Sequence, residues 1–419
     1  MIDFDQQKKM MIEGCAATRL AAGYGTPLYV YSSAQLKANC SIYAGLQAPF
    51  PVSTHYAVKA NPNLTLLENI KAAGLGFDVV SGGELERCLR IGAEPKTIVY
   101  SGVGKTEAEL VRAMDSGLGC INIESAGECE RITHLAQQRQ HPVRLAIRVN
   151  PDIAVDSHPY IATALASSKF GVPLDQALRL AKLIAAAPNC NLVGLGCHLG
   201  SMLEDLAPLV AACRQLVALA TRIAPHSALE HLSLGGGLAV RYKNENQPLP
   251  QDLVDSCTPM LKDTGLSLLL EPGRSIIASA GLLLTRVEHC KTGAKHNFAI
   301  VDAAMNDLLR PALYDAWHEI VAAQPSQAPL EKWDVVGPVC ESGDFIGKDR
   351  ELAIAAGDVL AVCTTGAYGA SMASNYNCRP HAAAVLVQGA SAKSIAMRQT
   401  DAQMLAAELE VIDSSFAPI

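Results

Sequence analysis

A lysine and a run of glycines are the first residues whose types and positions suggest chemistry. Lys59 follows an apolar, β-branched stretch in HYAVKANPN (55–63). A desolvated lysine amine has a lowered pKa and can form a Schiff base with a carbonyl compound. Gly235, Gly236 and Gly237 are consecutive, and EPGR follows at 271–274. Because glycine-rich turns let backbone N–H groups approach a phosphate, these segments predict a phosphate site.

A lysine that faces a phosphate site suggests pyridoxal phosphate, whose aldehyde needs an amine. Glu271 could pair with the protonated pyridine nitrogen and keep the ring an electron sink. His198, in GCHLGS, could lie over the ring face, and Asp78, in FDVVSGGEL, is a further polar residue in an apolar stretch. Each residue also has an ordinary interpretation: a surface lysine, tight glycine turns, a hydrogen-bonded core histidine. The combination favours the cofactor site.

These residues follow short apolar runs that alternate with helix-like stretches. Amphipathic segments such as 83–91 and 174–187 separate the runs, and this alternation predicts parallel βαβ units. Eight units predict a (β/α)8 TIM-like barrel, whose active site lies at the carboxyl ends of the strands, with phosphate typically bound after strands seven and eight. The eight predicted strands are 52–58, 77–80, 97–101, 121–123, 144–149, 192–198, 231–234 and 266–270.

After about residue 285 the pattern changes to strands joined by Gly-, Pro- and Asp-containing turns, which predicts an all-β region. The segment LYVY (28–31) could pair with it. We therefore predict an α/β chain in which the N-terminal segment 1–34 completes a C-terminal β domain at 285–419, with the barrel at 35–284. The strands predicted in the β domain are 283–289, 298–302, 333–337, 359–364 and 382–387.

The composition argues against several classes of protein, namely nucleic-acid-binding, membrane, secreted and metal-binding proteins. The 419 residues include 41 acidic and 34 basic side chains, for a formal charge of −7, with no long basic run. Nucleic acid and anionic membranes are therefore not expected partners. Neither a secretory signal nor a membrane span is recognisable. The 13 cysteines include no CxxC pair, and no HExxH spacing occurs, so we expect no bound metal and reduced thiols in a cytoplasmic protein.

The ordered motifs of the chain resemble those of the diaminopimelate decarboxylases, pyridoxal-phosphate enzymes of group IV with an alanine-racemase-like barrel and a β domain. Each motif is weak to moderate alone, but their order and spacing across nearly the whole chain are specific. In addition to those quoted above, they are SSKFGV (167–172), EPGRSI (271–276), MNDLLRPALYDAWH (305–318), GPVCESGDF (337–345) and GAYGASMASNYNCRP (366–380).

The resemblance implies a role for each matching residue. Lys59 is similar to the Schiff-base lysine, His198 to the ring-stacking histidine and Glu271 to the partner of the pyridine nitrogen. The other implied cofactor residues are Asp78, Ser201, Gly236, Gly237, Gly273, Arg274 and Tyr368. The implied residues for the distal end of the substrate are Arg274, Arg310 and Tyr314 for its carboxylate, Glu341 for its ammonium group, and Tyr368.

The resemblance also implies the reaction: meso-2,6-diaminopimelate becomes L-lysine and CO2, the last step of lysine biosynthesis. Cys340 resembles the general acid, a role that a thiol with a pKa near ~8.5 can serve if its environment tunes it. In the family Cys340 and Glu341 reach the neighbouring subunit's site, which implies a homodimer with shared sites. The chain departs from the family at Thr364-Thr365 and at Ala303-Ala304, which affects fine positioning and no implied catalytic group.

Three alternatives remain open from the residues. A decarboxylase of ornithine, arginine or carboxynorspermidine would need an acidic group where Arg310 stands. A racemase would need two opposed bases and would leave Cys340 without a role. A non-catalytic cofactor-binding protein would not need Lys59 or Cys340, and both are present.

Overall fold

A computed structural model describes residues 2–154 and 168–412, so the first residue of the SSKFGV motif lies outside the described residues. The chain forms two compact units. One runs from Leu36 to Ile277; the other combines the residues up to Gln35 with those from Ala278 onward. The second unit is therefore built from both ends of the chain.

The strands of the described residues are β1 (Ile2–Phe4), β2 (Met10–Ile12), β3 (Cys15–Ala16), β4 (Leu28–Ser32), β5 (Val52–Ala57), β6 (Gly76–Val79), β7 (Ile98–Tyr100), β8 (Cys120–Ile123), β9 (Val143–Asn150), β10 (Val172–Pro173), β11 (Cys190–Gly196), β12 (His231–Ser233), β13 (Ser267–Leu270), β14 (Gly281–Lys291), β15 (Phe298–Val301), β16 (Ile320–Ala322), β17 (Leu330–Val336), β18 (Phe345–Ala353), β19 (Val359–Val362), β20 (Ala383–Gln388) and β21 (Ser391–Ala396).

The α-helices of the described residues are α1 (Ala17–Tyr24), α2 (Ser33–Ala44), α3 (Leu64–Ala72), α4 (Gly82–Arg90), α5 (Glu107–Asp115), α6 (Ala126–Arg139), α7 (Leu174–Ala186), α8 (Ala207–Ile223), α9 (Pro250–Leu261), α10 (Arg274–Ile277), α11 (Arg310–Tyr314) and α12 (Asp401–Leu409). The predicted amphipathic segments 83–91 and 174–187 correspond to α4 and α7.

Eight parallel strands form the barrel of the first unit. They follow the order β5, β6, β7, β8, β9, β11, β12 and β13, and β13 pairs with β5 to close the ring. Each predicted barrel strand lies within two residues of the observed one at both ends. The predicted fold class is confirmed, and all eight carboxyl ends meet at one mouth.

Amphipathic helices return the chain between these strands. Helix α4 begins where the Ser81 hydroxyl accepts a hydrogen bond from Glu84 N, and it buries Leu85 and Cys88. Such a cap satisfies one of the N–H groups that have no partner within the helix. Each fully buried leucine contributes about 1.5–3 kcal/mol to folding. The apolar stripe therefore sets which helix face covers the barrel.

A second sheet forms the core of the other unit. Strand β4 lies between β14, to which it is antiparallel, and β20, to which it is parallel. All five β4 residues are buried, and the predicted pairing of the N-terminal segment with the β domain is confirmed. From β14 the sheet continues through β15 and β17 to β18, with β19 also paired to β14.

Several elements of this unit were not predicted: the sheet of β1 to β3, the strands β16, β18 and β21, and the helices α11 and α12. Strand β18 reads FIGKDRELA, and its four consecutive charged residues interrupt the apolar alternation that marks a strand. Its position at the end of the sheet, where β17 is its one partner among the described strands, tolerates that composition. None of the described helices has the length and apolar composition needed to cross a membrane.

Candidate functional site

Lys59 lies directly after the first barrel strand, in the 3₁₀ turn Val58–Ala60. Its side chain is exposed, so the expected burial of the lysine is not observed; the turn places it at the open mouth rather than in the strand. Its positive charge acts on three other predicted residues, Asp78, His198 and Glu271. These four residues therefore share one electrostatic environment.

Two carboxyl groups are buried at this mouth. Asp78, in β6, accepts a hydrogen bond from Ser101 Oγ at 2.7 Å, and burial raises its pKa against the lowering effect of Lys59. Glu271 follows β13 and accepts a hydrogen bond from Ser233 Oγ at 2.8 Å. Burial raises the pKa of Glu271 and the Asp78 charge raises it further, whereas Ser233 and Lys59 oppose the rise.

His198 is held as a neutral imidazole. Burial lowers its pKa well below the usual value, and the charges of Lys59 and Arg148 lower it further. Gly236 N donates a hydrogen bond to His198 Nδ1 at 3.3 Å, which requires that nitrogen to be unprotonated. The ring therefore meets a bound group as an uncharged surface.

Close packing of the loops requires glycine in the segments 235–237 and 271–274, and two backbone N–H groups there are available to a ligand. A Cβ on Gly236 would lie 2.3 Å from Glu271 O, and one on Gly237, whose φ is +111°, would lie 2.3 Å from Gly200 O. Close approach of the loops alone thus accounts for these glycines. In addition, the N–H groups of Gly237 and Gly273 have no hydrogen-bond acceptor among the described residues. They follow strands β12 and β13, where the phosphate site was predicted.

Arg274 begins α10 and is 9% exposed. Its Nε and Nη2 donate to Ser201 Oγ at 3.2 and 3.0 Å, and its Nη1 donates to Tyr242 OH at 2.9 Å. The structure therefore joins Arg274 and Ser201, two predicted site residues, and adds a tyrosine that the sequence interpretation did not include.

In the other unit, Arg310 and Tyr314 lie one turn apart on α11. Arg310 is 6% exposed, so it is not a surface residue. Its Nη1 lies 2.8 Å from His318 Nε2, and His318 Nδ1 lies 2.8 Å from Cys363 O. Because the carbonyl only accepts, Nδ1 carries the hydrogen and Nε2 accepts from Arg310. A neutral histidine thus holds the guanidinium.

Cys340 and Glu341 lie on an exposed loop of this unit. Cys340 N donates to Asn377 Oδ1 at 2.9 Å, and Tyr376 OH donates to Glu341 Oε2 at 2.8 Å. Two neighbouring residues therefore hold the loop that carries both predicted groups.

Tyr368 has a φ of +55°, and Thr364, where the chain departs from the family motif, has a φ of +56°. Left-handed backbone is uncommon for residues other than glycine and tends to occur at functional sites. The GAY segment is thus locally strained around the predicted tyrosine.

Several residues that contact predicted site residues were missed, among them Ser101, Ser233, Tyr242 and His318, as was Arg148, whose charge acts on His198 and Glu271. Ser233 lies two positions before the glycine triplet in HLSLGGG, and Arg148 is a charged residue near the end of an apolar strand, so each carried a signal. Arg148 donates to Glu124 Oε1 at 2.9 Å. Tyr242 and His318 carry no local signal, because only the fold brings them to their partners.

These groups fit pyridoxal phosphate. The mouth of the barrel offers an amine for the aldehyde, a buried carboxyl group for the ring nitrogen, a neutral imidazole and spare backbone donors for the phosphate. The guanidinium of Arg274 is engaged by Ser201 and Tyr242.

Comparison with known proteins bears on the identity of this site. Residues 34–278 match the family model described as pyridoxal-dependent decarboxylase, pyridoxal binding domain. The diaminopimelate decarboxylase of Pseudomonas aeruginosa is 45% identical over 96% of this chain and 97% of its own length. That of Vibrio cholerae is 42% identical over 97% and 98% of the two chains.

Comparison with solved structures points to the same family. The diaminopimelate decarboxylase of Helicobacter pylori complexed with L-lysine is similar with a TM-score of 0.91 at 36% identity, over 94% of this chain and 99% of that one. The enzyme of M. jannaschii in complex with L-lysine gives a TM-score of 0.92 at 34% identity, over 97% of each chain. These matches confirm the predicted fold, the class of enzyme and the cofactor, pyridoxal phosphate. The chain belongs to the diaminopimelate decarboxylase family of pyridoxal-dependent decarboxylases.

Proposed function

We propose that this chain decarboxylates meso-2,6-diaminopimelate to L-lysine and CO2, the last step of lysine biosynthesis, with pyridoxal phosphate bound through Lys59. The observation that carries the proposal is the shared environment of Lys59, Glu271 and His198 at the mouth of the barrel. The similar diaminopimelate decarboxylases that were solved in complex with L-lysine support this choice of substrate and product.

Each barrel residue has a definite task in this reaction. When bound, the cofactor supplies a protonated ring that takes up the electron pair left at Cα by loss of CO2. Glu271 holds the proton at the ring nitrogen, and the Ser233 hydroxyl, 2.8 Å away, orients its carboxyl group. His198 would lie against the ring face without adding charge. The N–H groups of Gly237 and Gly273, with Ser201, would hold the phosphate, and the Lys59 amine would hold the aldehyde.

The second unit supplies the substrate specificity. Arg310 offers a guanidinium fork for the distal carboxylate, fixed by His318 at 2.8 Å, with Tyr314 on the same helix turn. A site built to pair buried charges discriminates against ligands that lack them, because those charges would stay unpaired. Arg274 and Tyr368 are proposed to contact cofactor and substrate as well.

Cys340 and Glu341 are proposed to serve the site of a second subunit, Cys340 as the acid that protonates Cα and Glu341 as the partner of the distal ammonium group. Their exposure on a held loop supports a role outside their own chain. The active form would then be a homodimer with shared sites. All thirteen cysteines are free, as a reducing compartment maintains them, which supports a cytoplasmic location.

Turnover of meso-diaminopimelate tests the proposed reaction directly. We expect the purified protein with pyridoxal phosphate to release CO2 and L-lysine, and to leave ornithine, arginine and lysine unchanged. Lys59→Ala should lose the visible absorption band of the lysine-bound cofactor and at least about 10³-fold in rate. Lys96→Ala, an exposed lysine before the third barrel strand, is the matched control. Release of CO2 from ornithine or arginine instead would contradict the substrate.

Mixing two inactive variants tests the shared sites. Lys59→Ala and Cys340→Ala should each be nearly inactive alone. Equal amounts, unfolded and refolded together, should recover about a quarter of the wild-type rate, because half of the dimers then carry one intact site. Complementation measured as CO2 release supports the shared site. No recovery, with mixed dimers demonstrated by mass spectrometry, would place both residues in the same subunit's site.

Substitution of Arg310 tests the recognition of the distal carboxylate. Arg310→Ala should lower kcat/KM for diaminopimelate by about 100-fold, since a buried carboxylate would lose its charged partner. The affinity for pyridoxal phosphate should stay unchanged. Arg286→Ala, a half-buried arginine of the same unit that donates to Gly357 O, is the control. Normal kinetics of Arg310→Ala would remove this residue from the site.

The buried Glu271 should make the stability of the apoprotein depend on pH. Its folded pKa is raised above the unfolded value near ~4.3, so the native state binds more protons between the two values and stability falls as the pH rises through that window. Glu271→Gln removes this loss. Urea midpoints of the two apoproteins at about pH 5 and about pH 8 should therefore show that the stability of Glu271→Gln relative to the wild type increases at the higher pH. With cofactor bound, the wild type should be the more stable of the two proteins. Parallel pH curves would contradict the assignment.

A further inference from the structure

Arg350, in strand β18, is buried without the partners that a guanidinium normally has. It is 6% exposed, and its Nε and Nη1 have no hydrogen-bond partner among the described residues. Arginine is almost never fully buried unless it is paired, because desolvating an unpaired charge is unfavourable. Burial lowers the pKa of Arg350 to about 10, which leaves it charged at neutral pH.

An aromatic ring and a glycine hold this side chain. The guanidinium carbon of Arg350 lies 3.1 Å from the centroid of the Trp317 ring, a cation–π contact. Gly347 leaves room for it: a Cβ there would lie 2.5 Å from Arg350 Nε and 2.8 Å from Ile320 Cδ1. The guanidinium is thus held against the indole ring.

Trp317 adjoins the residue that fixes Arg310. His318, the next residue, is 2.8 Å from Arg310 Nη1. Helix α11, which carries Arg310, has only five residues and is followed by Asp315 in a left-handed conformation, with a φ of +50°. So short a helix is not stable by itself. The direction of the Arg310 side chain therefore depends on what holds residues 315–318.

We propose that Arg350 is a positioning residue for substrate recognition: packed on Trp317, it fixes the segment 315–318 and so keeps His318 and Arg310 aligned for a carboxylate of the ligand. The inference rests on the proposed role of Arg310. This role gives a reason for burying the Arg350 guanidinium, which its hydrogen bonds do not give.

Two ligands separate this role from a general effect on folding. L-Lysine carries the carboxylate that Arg310 would bind, whereas cadaverine has the same two amines and no carboxylate. In the cofactor-loaded enzyme, Arg350→Met should weaken L-lysine binding by about tenfold and leave cadaverine binding unchanged. KM for diaminopimelate should rise by a similar factor, and kcat should change by less than about twofold.

Matched variants sharpen the measurement. Lys348→Met removes another cation of β18, which lies 3.6 Å from the Phe345 ring centroid but is exposed, and should have no effect on either ligand. Arg350→Lys keeps the charge but loses the planar guanidinium that lies against the indole, so it should show an intermediate loss; it also replaces Arg350→Met if that variant does not fold. In an Arg310→Ala background, the substitution of Arg350 should add nothing to the loss of L-lysine affinity, because it acts through Arg310.

The outcomes are distinct. Equal weakening of L-lysine and cadaverine, or additive losses in the double variant, would overturn the positioning role. Unchanged L-lysine affinity in Arg350→Met and Arg350→Lys would do the same. If the wild-type enzyme itself does not prefer L-lysine to cadaverine and does not turn over diaminopimelate, the proposed function fails first.

Discussion

Burial of carboxyl groups beside cations at the mouth of the barrel is the constraint on which the site depends. Burial raises the pKa of both Asp78 and Glu271, and the Asp78 charge raises that of Glu271 further, whereas Lys59 and Arg148 lower both. In a medium of low polarity such charges interact strongly, so no member can change state without affecting the others. In the proposed function, a cationic ring beside Glu271 would complete this balance, and the neutral His198 would add no charge to it.

Much of the barrel could be predicted from the sequence because its signals are local. Apolar runs bounded by turns marked all eight strands, and residues at strand ends were expected at one mouth, where Lys59, His198 and Glu271 indeed lie. The β unit was harder, since pairing to a neighbouring strand, rather than composition, stabilises β18. Residues that act through tertiary contacts, such as His318 and Tyr242, had no pattern of their own. The exposure of Lys59 also depends on the fold rather than on its apolar neighbours.

The two units orient their functional side chains by different physical means. In the barrel, backbone geometry dominates: strand ends and tight glycine turns leave few positions for a side chain such as Glu271. In the β unit, a chain of side-chain contacts fixes Arg310, from Cys363 O through His318 to the guanidinium. Contacts of this kind can be retuned by single substitutions without rebuilding the fold, which suits the role in substrate recognition proposed for Arg310.

The central position of β4 has a consequence for synthesis of the chain. This strand is made long before its two partners, Gly281–Lys291 and Ala383–Gln388. On the ribosome, domains generally fold as they emerge, so the barrel residues can fold while β4 still waits with both edges unpaired. An apolar strand without partners invites pairing with other chains. We therefore expect chaperones to shield β4 until its later partner, Ala383–Gln388, has left the exit tunnel.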